Sequence, residues 1–71
     1  MKLTAIIEKE GKWYVALCPE LDVVSQGKTV EEARNNLKEA LEGFLESASK
    51  SEIRRRLHGE VFVTQVEVGR G

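Results

Sequence analysis

The stretch that decides the fold is Ile6-Ile7-Glu8-Lys9-Glu10-Gly11-Lys12-Trp13-Tyr14-Val15-Ala16-Leu17-Cys18-Pro19. Apolar and β-branched residues flank a polar turn that contains a glycine, which is a hairpin signal. The reading gives a first strand over residues 3–8, a turn over 9–12 and a second strand over 13–18. Pro19 has no N–H to give a sheet ladder and closes the second strand. Residues 21–26 read as a third strand, ended by Gly27.

Downstream, Thr29-Val30-Glu31-Glu32 is a capping box. The Thr29 hydroxyl can accept from the Glu32 N–H while the Glu32 carboxylate reaches back. Two glutamates in the first turn also suit the positive end of the helix dipole. Apolar residues recur at Val30, Ala33, Leu37, Ala40, Leu41, Phe44, Leu45 and Ala48, a helical spacing that fades in Ser47-Ala48-Ser49-Lys50-Ser51. Residues 49–60 are polar and basic and leave room for a short extra turn of helix. Val61-Phe62-Val63-Thr64-Gln65-Val66-Glu67-Val68 alternates and is β-branched, so it reads as a last strand. The predicted class is α+β, in the order β-β-β-α-β. A meander followed by a right-handed crossover gives a four-stranded mixed sheet of order 3-2-1-4, with one helix on one face.

Alternation then sorts the hairpin residues. A turn centred on Glu10-Gly11 sets Glu8 opposite Trp13. One face holds Leu3, Ala5, Ile7, Tyr14, Ala16 and Cys18, and the other Thr4, Ile6, Glu8, Trp13, Val15 and Leu17. Both faces are apolar, and one helix covers only one of them. The face left over is a candidate interaction surface.

The chain is 71 residues long, 41% hydrophobic and 32% charged, with a formal net charge of −1. These values fit one soluble globular domain over residues 1–71 and argue against a strongly phosphate-binding protein. A chain this short sits near the margin of stability. Its single Cys excludes an internal disulfide, and one Cys with one His excludes a four-ligand zinc site. Association with other chains, at least a dimer, is the expected remedy. No apolar run near the start is long enough for a signal peptide or membrane span, so the expected compartment is the cytoplasm.

Few residues suggest chemistry, and no cofactor or metal is expected. Cys18 reads as a small buried apolar group rather than a nucleophile, since no base or oxyanion motif accompanies it. His58 stands alone in a polar stretch. Arg54-Arg55-Arg56 reads first as a solvated face and second as a grip for phosphate or an acidic partner. Residues 30–46 contain five glutamates against Arg34 and Lys38, a net charge of −3. Glu39, Glu42 and Glu46 lie on this helix and could attract a basic protein.

The ordered series Glu10-Gly11-Lys12-Trp13-Tyr14-Val15-Ala16, Cys18-Pro19-Glu20-Leu21, Ser25-Gln26-Gly27-Lys28-Thr29, Glu31-Glu32-Ala33 and Asn36-Leu37-Lys38-Glu39-Ala40-Leu41 resembles the N-terminal domain of the HicB antitoxins. The resemblance covers nearly the whole chain. It implies a partial ribonuclease-H-like β-β-β-α-β fold and a type II antitoxin that blocks a HicA-type mRNA-cleaving toxin, itself small and basic. It also implies dimers or larger assemblies. The family's apolar stripe maps to Tyr14, Ala16 and Cys18, which places their face under the helix. Ile6, Trp13, Val15 and Leu17 then form the open face. Many members carry Leu-Pro-Gly-Cys where this chain has Leu21-Asp22-Val23-Val24, about one residue shorter. Longer members add a DNA-binding domain, which has no counterpart in these residues, so DNA binding is not expected.

Ribonuclease-H chemistry needs carboxylates converging on metal ions, one of them central in the first strand. Leu3-Thr4-Ala5-Ile6-Ile7 supplies none, so no enzymatic activity is expected. The competing reading is a small RNA-binding module, with Trp13 stacking a base beside Arg54-Arg55-Arg56. A structural oligomer without a toxin partner is the third.

Overall fold

The computed structural model describes residues 1–70. Three strands, β1 (Ile6–Glu10), β2 (Trp13–Cys18) and β3 (Val23–Gly27), precede two helices, α1 (Val30–Ser47) and α2 (Lys50–Arg56). The strands form an antiparallel meander of order β1-β2-β3. Among the described residues, no helix is long and apolar enough to cross a membrane.

The architecture is therefore β-β-β-α-α. It corrects the expected β-β-β-α-β order, the four-stranded mixed sheet and, with them, the partial ribonuclease-H-like arrangement. The missing element is the strand read over residues 61–68, which carries no strand pairing. Its β-branched residues suit a pleated, half-buried surface, but that preference is realised only against a partner. Here Phe62, Val63, Val66 and Val68 stay exposed instead. The second correction is α2, a full helix where a single turn was allowed. Ser49 caps it by accepting from the Glu52 N–H at 3.1 Å.

The hairpin turn is tighter than its sequence reading. Glu10 pairs with Trp13 and Glu8 with Val15, which leaves a two-residue loop, Gly11-Lys12. Gly11 alone in that loop has a positive φ, 60°. A glycine at the first central position is the requirement of a type II′ turn, whose twist matches the flanking strands. The register therefore differs by two residues from the expected Glu8–Trp13 pairing. A two-residue shift keeps every side chain on its face.

The core lies between α1 and the face of Ile7, Tyr14, Ala16 and Cys18. Ala16, Cys18, Leu21, Ala33 and Leu37 are buried, with Leu3, Ile7, Val23, Leu41, Phe44 and Leu45 packed around them. α1 starts as its capping box requires. The Thr29 hydroxyl accepts from the Glu32 N–H at 3.0 Å. The returning Glu32 carboxylate accepts from the Lys28 N–H at 3.1 Å, one residue earlier than Thr29. Asn36 Nδ2 donates to the Gln26 carbonyl at 2.8 Å and ties the helix to β3.

Gly27 permits this close seam. A Cβ on Gly27 would lie 2.5 Å from the Ala33 nitrogen and 2.8 Å from the Glu32 carbonyl carbon, both backbone atoms. Gly27→Ala is expected to cost about 1–3 kcal/mol by overpacking, read as a lower midpoint in urea unfolding. Gly43→Ala, whose Cβ would meet nothing within 4 Å, should be neutral or stabilising.

Candidate functional site

The three strands place a band of apolar residues on the face that α1 does not cover. Ile6 pairs across with Leu17, and Leu17 with Val24. Val15 follows, flanked by Glu8 and Gln26, and then Trp13 opposite Glu10. The band is thus apolar at the Ile6–Leu17–Val24 end and more polar toward the hairpin turn. A shallow depression of about 190 Å³ lies among Ile6, Glu8, Glu10, Val15, Leu17 and Val24. Trp13 is 43% exposed and Val24 59%. The expected open-face residues Ile6, Trp13, Val15 and Leu17 are therefore together on one surface. Val24 belongs with them, although the sequence reading did not single it out. Its signal was available, because residues 23 and 24 must point to opposite faces of a strand.

Glu39, Glu42 and Glu46 are exposed on α1. Their spacing of three and four residues puts them on one ridge, and that ridge is opposite the Ala33–Leu37 side that meets the sheet. The acidic ridge and the open sheet face consequently lie on opposite sides of the molecule. One rigid contact cannot use both.

Arg54, Arg55 and Arg56 do not act as a group. The Arg56 guanidinium donates to the Leu21 carbonyl at 2.9 Å and the Asp22 carbonyl at 3.2 Å. It also stacks on Phe44, 5.0 Å from the ring centroid. Arg56 is a fastener for α2, and Arg54 and Arg55 remain exposed. The fastened end lies past Cys18, whereas Trp13 begins β2. Five strand residues separate the two ends, about 17 Å. The arrangement of Trp13 beside the arginines, on which the RNA-stacking reading relied, is absent.

The turn that Arg56 grips is the one where the sequence departs from the HicB pattern. Asp22 takes a positive φ of 55°, a region Asp tolerates better than most side chains. Its carboxylate meets His58 Nε2 at 2.7 Å, with both side chains more than half exposed. An exposed pair of this kind adds at most about 1 kcal/mol.

Next to it, Glu20 gathers the start of the chain. Its carboxylate accepts from the Thr4 N–H at 3.0 and 3.1 Å and from the Thr4 hydroxyl at 2.6 Å. The Cys18 thiol donates to it at 3.4 Å. Partial desolvation pushes the Glu20 carboxyl up, but the hydrogen bonds from Thr4, its own backbone and Cys18 outweigh it and hold the group below its usual value. Cys18 is fully buried. Burial pushes its thiol up, and the Glu20 carboxylate adds to the rise against opposing backbone N–H groups. The thiolate is disfavoured, so Cys18 is poorly suited to nucleophilic chemistry. Among the described residues, no three His, Cys, Asp or Glu side chains are grouped to hold a metal ion.

Two UPF0150 proteins are similar in sequence. One, from Helicobacter pylori strain J99, is 44% identical over 54 residues, 75% of this chain and 75% of the relative. Another, from Thermoplasma acidophilum, is 46% identical over 52 residues, 70% of this chain and 75% of the relative. No protein-family model matches the chain, and no solved structure matches it.

Two outcomes test the Glu20 clasp. The folded carboxyl is lower in pKa than the unfolded one, so its stabilisation is full above the unfolded value, about 4.3, and is lost as pH falls through the folded value. Glu20→Gln should therefore destabilise by about 1–2 kcal/mol at pH 7, with the gap to wild type closing toward pH 3 in acid-dependent melts. Cys18 should react with a thiol reagent at least about 100-fold more slowly in the native chain than in urea, followed by absorbance at pH 8.

Proposed function

The chain belongs to the UPF0150 family, and from that premise we propose that it is a small antitoxin-like binding protein, HicB-like in its mode of action. It works in the cytoplasm, binding a basic HicA-type toxin and covering the surface with which the toxin cleaves mRNA. Inhibition is steric, and the chain contributes no catalytic group of its own.

The observation that carries this reading is the open sheet face. Ile6, Trp13, Val15, Leu17 and Val24 form an apolar band, and among the described residues no helix or strand lies over it. A protein partner can bury such a band, and a half-exposed tryptophan at its edge suits an anchoring role. UPF0150 membership is compatible with a HicB-like relationship, and the residue series quoted above supports it. The acidic ridge of Glu39, Glu42 and Glu46 lies on the far side of the helix. It acts at long range, attracting a basic partner before contact.

The two surfaces separate in kinetics. Purified chain is titrated with the small basic protein encoded beside it, and with its mRNA-cleavage activity. Trp13→Ala together with Leu17→Asp should weaken the complex by at least about 100-fold, chiefly through faster dissociation. Glu39, Glu42 and Glu46 all changed to Gln should slow association by about 3- to 10-fold at low salt and hardly at all at high salt. No complex and no inhibition with the wild-type chain would remove the reading.

A further inference from the structure

Two carboxylates stand among the apolar residues of the open sheet face. Glu8 and Glu10 are two residues apart on β1, so both rise from the same side of the sheet, about 7 Å apart along the strand. Val15 and Trp13 are their partners across on β2. Val15 is shorter than Glu8, Leu17 and Trp13 around it, and it lines the depression of about 190 Å³ together with both carboxylates. Sites for small-molecule ligands run to about 300–1,000 Å³. A depression below that range is on the scale of one inserted side chain.

The charge of this depression is one-sided. Lys9 turns to the other face and lies over the Tyr14 ring, 6.0 Å from its centroid. Lys12 and Lys28 lie outside the depression. The one ion pair among the described residues joins His58 to Asp22, so Glu8 and Glu10 are not neutralised by those residues.

We propose that this depression receives an arginine side chain from a protein partner. It rests on the reading that a protein covers the open sheet face, and it names the group that face selects. The aliphatic stem of the arginine lies over Val15 and Leu17 and shields them from water. Its guanidinium donates to Glu8 and Glu10, with its plane against the half-exposed Trp13 ring beside Glu10. A planar guanidinium donates in two directions at once and stacks on an aromatic ring, whereas an ammonium is a compact, strongly hydrated point charge. Two separated carboxylates with a ring beside one of them therefore select arginine over lysine. The Glu39, Glu42 and Glu46 ridge acts before contact, and Glu8 and Glu10 act after it.

The test starts from the complex with the small basic protein encoded beside the chain. Glu8→Gln with Glu10→Gln, both exposed, should keep the far-UV spectrum and weaken the complex about 10- to 30-fold, mainly through faster dissociation. A complex of undiminished affinity would overturn the inference and leave the proposed binding function standing, the carboxylates then serving only to keep the β1 edge from pairing. No complex with the wild type would remove that function, and a second measurement then decides. Trp13 is the chain's single tryptophan, so its fluorescence reports on the depression. N-acetyl-arginine amide at about 10–50 mM should change that emission at least about three-fold more than the lysine amide or the neutral citrulline amide at equal ionic strength, and the difference should vanish in the double variant. Equal responses to arginine and to either comparison compound would overturn the inference.

Discussion

An eighteen-residue helix is about 27 Å long and roughly 10 Å wide, and three strands at about 4.8 Å spacing make a sheet little wider than that. Such a helix shields one face of the sheet and no more. The open sheet face follows from that limit. α1 takes the side where Ala16, Cys18, Ala33 and Leu37 are small or branched enough to allow close approach. The seam is closest at Gly27, where the absence of a side chain lets β3 and the helix N-terminus meet backbone to backbone. The opposite face keeps its isoleucine, valines and leucine with only cross-strand neighbours for shelter.

Glu20 compensates for the small core by joining distant parts of the chain. Its carboxylate holds Thr4 and Cys18, and its carbonyl holds the His58 N–H. Residues 1–5, the end of β2 and the stretch after α2 thus converge on one residue. Hydrogen bonds to a charged acceptor are stronger than neutral ones and anchor loops that bury little apolar surface. The Asp22 turn beside it adds the Arg56 fastening, so α2 is held by polar contacts rather than by a buried stripe.

The hairpin, the β2 end at Pro19, the capping box and the face assignments were all legible in the sequence, because each depends on neighbours within a few residues. Alternation put Tyr14, Ala16 and Cys18 on one face, and the family resemblance, not alternation, chose that face for the helix. The exact turn could not, since Gly11 serves either a two-residue or a longer loop until its φ is known. Long-range facts were hidden for a different reason. Residues 61–68 have the composition of a strand, but composition specifies only what a segment would do against a partner. Arg54-Arg55-Arg56 looked uniform as text, and only the fold separates Arg56 on Leu21 and Phe44 from its exposed neighbours. The grouping of the open-face residues was readable, while the separation of that face from Glu39, Glu42 and Glu46 required the helix to be seated first.

The same economy bears on how a 71-residue chain reaches adequate stability. Five buried side chains among the described residues are few for a domain, and one Cys and one His give neither an internal disulfide nor a four-ligand zinc site. The hydrogen bonds that Glu20 and Arg56 make to distant segments then carry more of the fold than they would in a larger domain. Two apolar surfaces remain outside the core: the groove between residues 1–5 and α1, and the open sheet face. An apolar surface left open adds nothing to stability until another molecule covers it.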